Sequence, residues 1–176
     1  MNNEKHTAKY ITRLAMLCAA AILCSYAETL IPVQIFPVQG FKIGLANVAI
    51  MLTLYRFSLK EALIVNVARS ILVSLLFSGV VAMMFSLVGG TLAVIAMYFV
   101  KKSGVFSIYG VGVSGAVMHN LGQTAVAITV MKSAAVAAYL PYLMLCSLIT
   151  GLVVAFLCGV SFNSFCKIVD ERMSGL

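Results

Sequence analysis

The sequence predicts an all-α, polytopic integral membrane protein, with six transmembrane helices in one bundle. Three observations carry this. Of 176 residues, 62% are hydrophobic and only 10% are charged, too few polar groups to clothe a soluble core of that size. The mean hydropathy is +1.09. The apolar residues also fall into runs near the roughly 20 residues that cross a bilayer, with charges gathered at the breaks. The chain reads as a single transmembrane domain, 1–176.

The first span, Ile11–Ala27, follows Lys5, Lys9 and Arg13 and ends in Ser25-Tyr26-Ala27. That ending resembles a signal-peptide cleavage site, but removal would leave five spans and reverse one end, so the segment is read as a retained helix. Residues 28–43 contain Pro32, Pro37 and Gly40, which prevent one continuous helix. Ile31, Val33, Ile35 and Phe36 make the same piece apolar. It is predicted as an external loop folded over the bundle as a lid, with an interfacial connector as the alternative. Gly44–Phe57 is a short second span, Ala62–Ser78 the third and Val81–Val100 the fourth. Ser107–Met131 and Ala138–Cys166 are long enough to tilt or to include a loop segment.

The net charge of +7 is scattered between spans rather than gathered in a patch, so it predicts orientation and not nucleic-acid binding. With the N-terminus inside, Lys5, Lys9, Arg13, Arg56, Lys60, Lys101, Lys102, Lys167 and Arg172 lie in the cytoplasm and only Lys42 and Lys132 outside. That bias predicts a multi-pass protein of the cell membrane with both termini cytoplasmic. Cys18, Cys24, Cys146, Cys158 and Cys166 form neither a CxxC nor a metal spacing and are read as small buried thiols.

Arg69 lies near the middle of the third span, where a charge costs roughly 2.5–3.5 kcal/mol on insertion scales. Asn66 and Ser70 share its helical face, with Ser74 one turn further. In the fifth span Gly112, Gly115, His119 and Gln123 form a stripe, with Asn120 and Thr124 beside it. Asn47 lies one turn inside the second span. Polar groups in hydrocarbon must meet each other, water or a ligand. The expected site is therefore one pocket: Arg69 anchoring a phosphate, carboxylate or ring carbonyl, and His119, Asn120 and Gln123 reading polar edges. Asn66, Asn47 and Glu28 are further candidates. The structural alternatives are interhelical hydrogen bonding, and an arginine tied to helix-end carbonyls, Glu28 or Glu61.

Gly110, Gly112 and Gly115 spell GxGxxG, but without the strand context or a nearby downstream acid that a dinucleotide site requires. Close helix packing is expected instead. Ala15 and Ala19 set a small-xxx-small face on the first helix. The chain has no Walker lysine motif and no HExxH, and its one aspartate is Asp170. Magnesium–diphosphate chemistry uses carboxylates to hold the metal, so no catalytic residues, metal site or bound cofactor are expected.

GLANVAIMLTLY (44–55), KEALIVNVARSILVSLLFSG (60–79), FSLVGGTLA (85–93), GVSGAVMHNLGQ (112–123) and YLPYLMLCSLITGLV (139–153) resemble the Gx transporter family. Its members are often labelled heptaprenyl diphosphate synthase component I. The resemblance runs from the first span through the sixth, and GLAN, the arginine of NVARS and HNLGQ are its most specific pieces. The family is similar to the substrate-binding S components of energy-coupling-factor transporters. This likeness implies six helices capturing a micronutrient, a pocket covered by the first loop, and Ala15 and Ala19 docking on a transmembrane coupling subunit. Partner ATPases would use the ATP. The label implies an alternative: a non-catalytic membrane accessory of prenyl diphosphate or quinone metabolism, or of flavin-based extracellular electron transfer.

Overall fold

The computed structural model describes residues 2–30 and 44–174, with side chains described within 8–162 apart from 134, 136 and 139. Among these residues the chain is helical: α1 (Asn2–Leu30), α2 (Leu45–Arg56), α3 (Leu59–Val73), α4 (Gly79–Ser103), α5 (Ile108–Met131) and α6 (Leu140–Ser174). A π-helical turn, Ser74–Ser78, links α3 to α4, and a 3₁₀ turn, Ala134–Tyr139, precedes α6. Each of the six segments expected from hydropathy overlaps a helix. Among the described residues, three helical stretches have the length and composition to cross a membrane: Ala8–Leu30, Leu59–Ser103 and Leu140–Phe162. At 12 residues, α2 spans only about 18 Å.

The Leu59–Ser103 stretch is 45 residues long, about 68 Å if straight and twice the thickness of a hydrocarbon core. It is not straight. Asn66 of α3 lies directly against Gly90 of α4, so the chain doubles back between them. The reversal falls at the π-helical turn, where Gly79 has φ +81°, a conformation that side chains other than glycine adopt only with strain. A Cβ there would meet nothing, so backbone freedom alone calls for the glycine. The opposite turn, between α2 and α3, is tighter. Ser58 caps α3 in a capping box with Glu61, and Tyr10 of α1 donates to Glu61 at 2.7 Å.

The distribution of side chains suits a bundle placed in a membrane. Leu72, Leu75, Leu76, Leu145, Ile149 and Phe156 face outward. Asn66, Arg69, Ser70, His119, Asn120 and Ser147 face inward. All six helices contribute to one core that includes Leu17, Ile50, Val65, Met97, Val111 and Val154. The Tyr10 end of α1, Phe57 and Lys101 gather at one end of the bundle, and Tyr26 meets Phe77 at the other, ring centroids 4.6 Å apart.

The first helix continues beyond Ala27 to Leu30, so Glu28 is helical and not part of a loop. The rest of the expected lid, 31–43, lies outside the described residues. Cys18, Cys24, Cys146 and Cys158 are free thiols, of which Cys158 is buried and the others half-buried; the Cys166 side chain lies outside the description. The glycines of the fifth span serve packing. A Cβ on Gly112 would stand 2.6 Å from the Gly151 carbonyl of α6, and one on Gly115 would meet Met97 of α4 at 2.7 Å.

Gly151→Ala places a Cβ 2.5 Å from Val113 Cα, a backbone atom that moves only with its helix. It should destabilise the α5–α6 pair by about 1–3 kcal/mol, read as a lower melting temperature in detergent. Gly159→Ala meets nothing within 4 Å and should melt like the parent.

Candidate functional site

The buried face of α1 is set by Leu17, Ala21, Ser25 and Glu28, at steps of four, four and three. Its last two residues bring oxygen atoms to Arg69 and α2. Arg69 is 4% exposed. Its Nη1 donates to Ser25 Oγ at 3.1 Å and its Nη2 to Asn66 Oδ1 at 3.0 Å. Nε, together with Asn66 Nδ2 and Ser70 Oγ, is buried with no hydrogen-bond partner among the described residues. Glu28 is close enough for its charge to act on the guanidinium. The same carboxylate accepts from the Leu45 N–H, capping the start of α2, where an anion is favoured. Gly44 precedes that helix at φ +84° and turns the chain into it. Glu28 thus has a structural role at the junction of α1 and α2. Glu61 belongs to the opposite end, with Tyr10 and Ser58.

A second polar group forms on α5. Asn120 Nδ2 donates to Ser147 Oγ of α6 at 2.6 Å and to the Leu143 carbonyl at 3.4 Å. Ser147 in turn donates to Leu143 O at 2.7 Å. His119 and Asn120 line a small cavity with Asn47 of α2, Thr150 of α6 and the glycines Gly112 and Gly115. Its volume is about 10 Å³, enough for about one water molecule. A larger solute enters only if the helices around it part.

Gly89 and Gly90 of α4 stand between the two groups. A Cβ on Gly89 would meet the His119 carbonyl at 2.9 Å and Gln123 Cγ at 3.0 Å, and one on Gly90 would overlap the Asn66 amide. Gln123 Nε2 is also buried without a partner among the described residues. The expected faces are therefore buried: Asn66, Arg69 and Ser70 on α3 with Ser74 at the start of the π-helical turn, and His119, Asn120, Gln123 and Thr124 on α5. Among the described residues, the cavity at His119 and Asn120 does not take its lining from Arg69, Asn66 or Gln123, and Gly89 and Gly90 carry α4 between Asn66 and the α5 residues. Sequence reading missed Ser25, Ser147 and the glycine pair. Ser25 could have been found from its place on the Leu17–Ala21–Glu28 face, and Ser147 from its seat one turn before Gly151.

Residues 17–160 match the family described as Heptaprenyl diphosphate synthase component I. The chain belongs to that family. The matched region holds every polar residue of both groups and Ala19, while Ala15 lies just before it. No curated protein and no solved structure matches this family member. Ala15 and Ala19 are both exposed on the outer face of α1, where helix packing within the chain does not cover them.

Asn66→Ala removes the Nη2 acceptor and should cost about 1.5–3 kcal/mol, the range for a hydrogen bond to a charged group. Because Ser25 serves the same guanidinium, the Asn66→Ala/Ser25→Ala double variant should depart from additivity by at least 0.5 kcal/mol. Denaturation of all four proteins in detergent measures this.

Proposed function

We propose that this family member is the solute-capturing subunit of a membrane uptake system energised by partner ATPases, of the energy-coupling-factor kind. It crosses the cell membrane six times with both termini in the cytoplasm. The observation that carries the reading is Arg69. Its permanent charge is buried, two of its nitrogens are held by a neutral hydroxyl and a neutral amide, and its third has no hydrogen-bond partner among the described residues. An ionised group inside a membrane bundle marks a substrate or ion path by default. The orphaned Asn66 Nδ2 and Ser70 Oγ beside it offer a solute further contacts. The solute is small and polar or anionic. Arg69 holds its charged end, and the α5 group reads its polar edges once α4 shifts.

Six crossings are supported by the reversal at Gly79 and by the cations. Alternating helices bring Lys9, Arg56, Lys60, Lys101 and Lys102 to one end of the bundle, as a cytoplasmic face requires. The chain acts without catalysis of its own, binds no cofactor, and leaves ATP to its partners. Among the described residues no three His, Cys, Asp or Glu side chains group as a metal would need. Ala15 and Ala19 form the docking face for a transmembrane coupling subunit. The family's description favours a second reading, a non-catalytic membrane accessory of a prenyl diphosphate synthase.

Arg69→Ala should abolish solute uptake in cells, by 100-fold or more on the order expected for losing a buried charged contact, while membrane insertion persists. Uptake at the parental rate would remove Arg69 from the site. Replacing Ala15 and Ala19 with Leu should abolish co-purification with the coupling subunit and leave solute binding by the isolated chain intact. A preserved complex would move the docking face elsewhere.

A further inference from the structure

At the cation-rich end of the bundle a cleft of about 270 Å³ opens between the end of α2, the α2–α3 turn and the last turn of α4. Phe57, Leu59 and Tyr98 form its apolar wall, and Ser58, Lys101 and Lys102 its polar edge. Lys101 is held in place. Its Nζ donates to the Leu54 carbonyl at 2.7 Å and sits 4.6 Å from the centre of the Tyr55 ring. An ammonium has three donors, and the Leu54 carbonyl takes one. Lys102 is exposed, and its Nζ stands 6.0 Å from the Tyr98 ring centre. Glu61, in the first turn of α3, accepts from Tyr10 and Ser58 and does not line the cleft. Arg56 and Lys60 neighbour the lining residues in sequence but are not part of the lining.

Two ammonium groups at the mouth of an apolar trough complement an anionic head on an apolar tail. We propose that this cleft binds a phosphate-bearing amphiphile, with the phosphate between Lys101 and Lys102 and the first part of its chain against Phe57 and Tyr98. The size decides how much of the ligand enters. Pockets that enclose a whole drug-sized molecule occupy ~300–1,000 Å³, so about 270 Å³ accommodates a head and a few carbons while the remaining chain lies in the bilayer. A water-soluble phosphate would leave the aromatic wall bare. The head belongs either to an anionic phospholipid or to a prenyl diphosphate. The site is separate from Arg69 and holds whichever reading of Arg69 is correct.

The test uses the full chain in phosphatidylcholine nanodiscs, titrated with phosphatidylglycerol and followed by native mass spectrometry. Lys102→Gln is the variant, because Lys101 also secures the Leu54 carbonyl. Lys60→Gln, at the same end but outside the cleft lining, is the control. Retention of phosphatidylglycerol should fall about fivefold in Lys102→Gln, the effect of one lysine near a membrane surface, and remain at the parental level in Lys60→Gln. Equal retention in parent and Lys102→Gln, or equal losses in both variants, would overturn the site. Geranylgeranyl diphosphate is then added as competitor. Displacement of one bound lipid per chain assigns the cleft to a diphosphate head, and no displacement assigns it to the bilayer phospholipid. Inorganic phosphate competing as well as geranylgeranyl diphosphate would overturn the requirement for a tail.

Discussion

A guanidinium buried among helices must be met by oxygen atoms, and meeting it ties three helices of this bundle together. Arg69 on α3 donates to Ser25 on α1 and to Asn66 one turn back on its own helix. Glu28, one turn beyond Ser25, acts on the same charge and caps the start of α2. Removing one hydrogen-bond partner from a charged group typically costs about 1.5–3 kcal/mol, a large part of the stability of an ordinary domain. The relative placement of α1, α2 and α3 follows from a charge that hydrocarbon will not solvate.

Glycine does the corresponding work on the other side. Between helices of equal hydrophobicity to the lipid there is little hydrophobic drive to associate, so close backbone approach and dispersion take over. Gly89 and Gly90 let α4 pass between the Asn66 amide and the His119 backbone, and Gly112 with Gly151 does the same for α5 and α6. The result is a dense centre with a water-sized cavity. Among the described residues, the polar side chains on either side of α4 leave donors on Asn66 and Gln123 without partners.

Much of this was legible in the sequence because helix period and hydropathy are local properties. The six segments were visible as runs, and the inward faces of α3 and α5 as polar residues three and four apart. The packing role of Gly112 and Gly115 followed from their setting in an apolar helix. What was not legible depends on pairing between helices. A sequence reading that sees Arg69 and His119 both pointing inward has no means of seeing two glycines slide between them. The end of α1 was misjudged for a local reason: Pro32 predicts a helix boundary before it but not where, and helix continues to Leu30. That extension carries Glu28 out of the expected lid and onto the first residue of α2.

The contact between Glu28 and the Leu45 N–H joins the end of α1 to the start of α2. Any connection between those two helices therefore has both its ends held at one clasp. Chain entropy makes such a closed stretch tolerant, since doubling its length costs only about 0.6 kcal/mol. A change in the length of that connection therefore costs little, while the clasp keeps α1 and α2 in register.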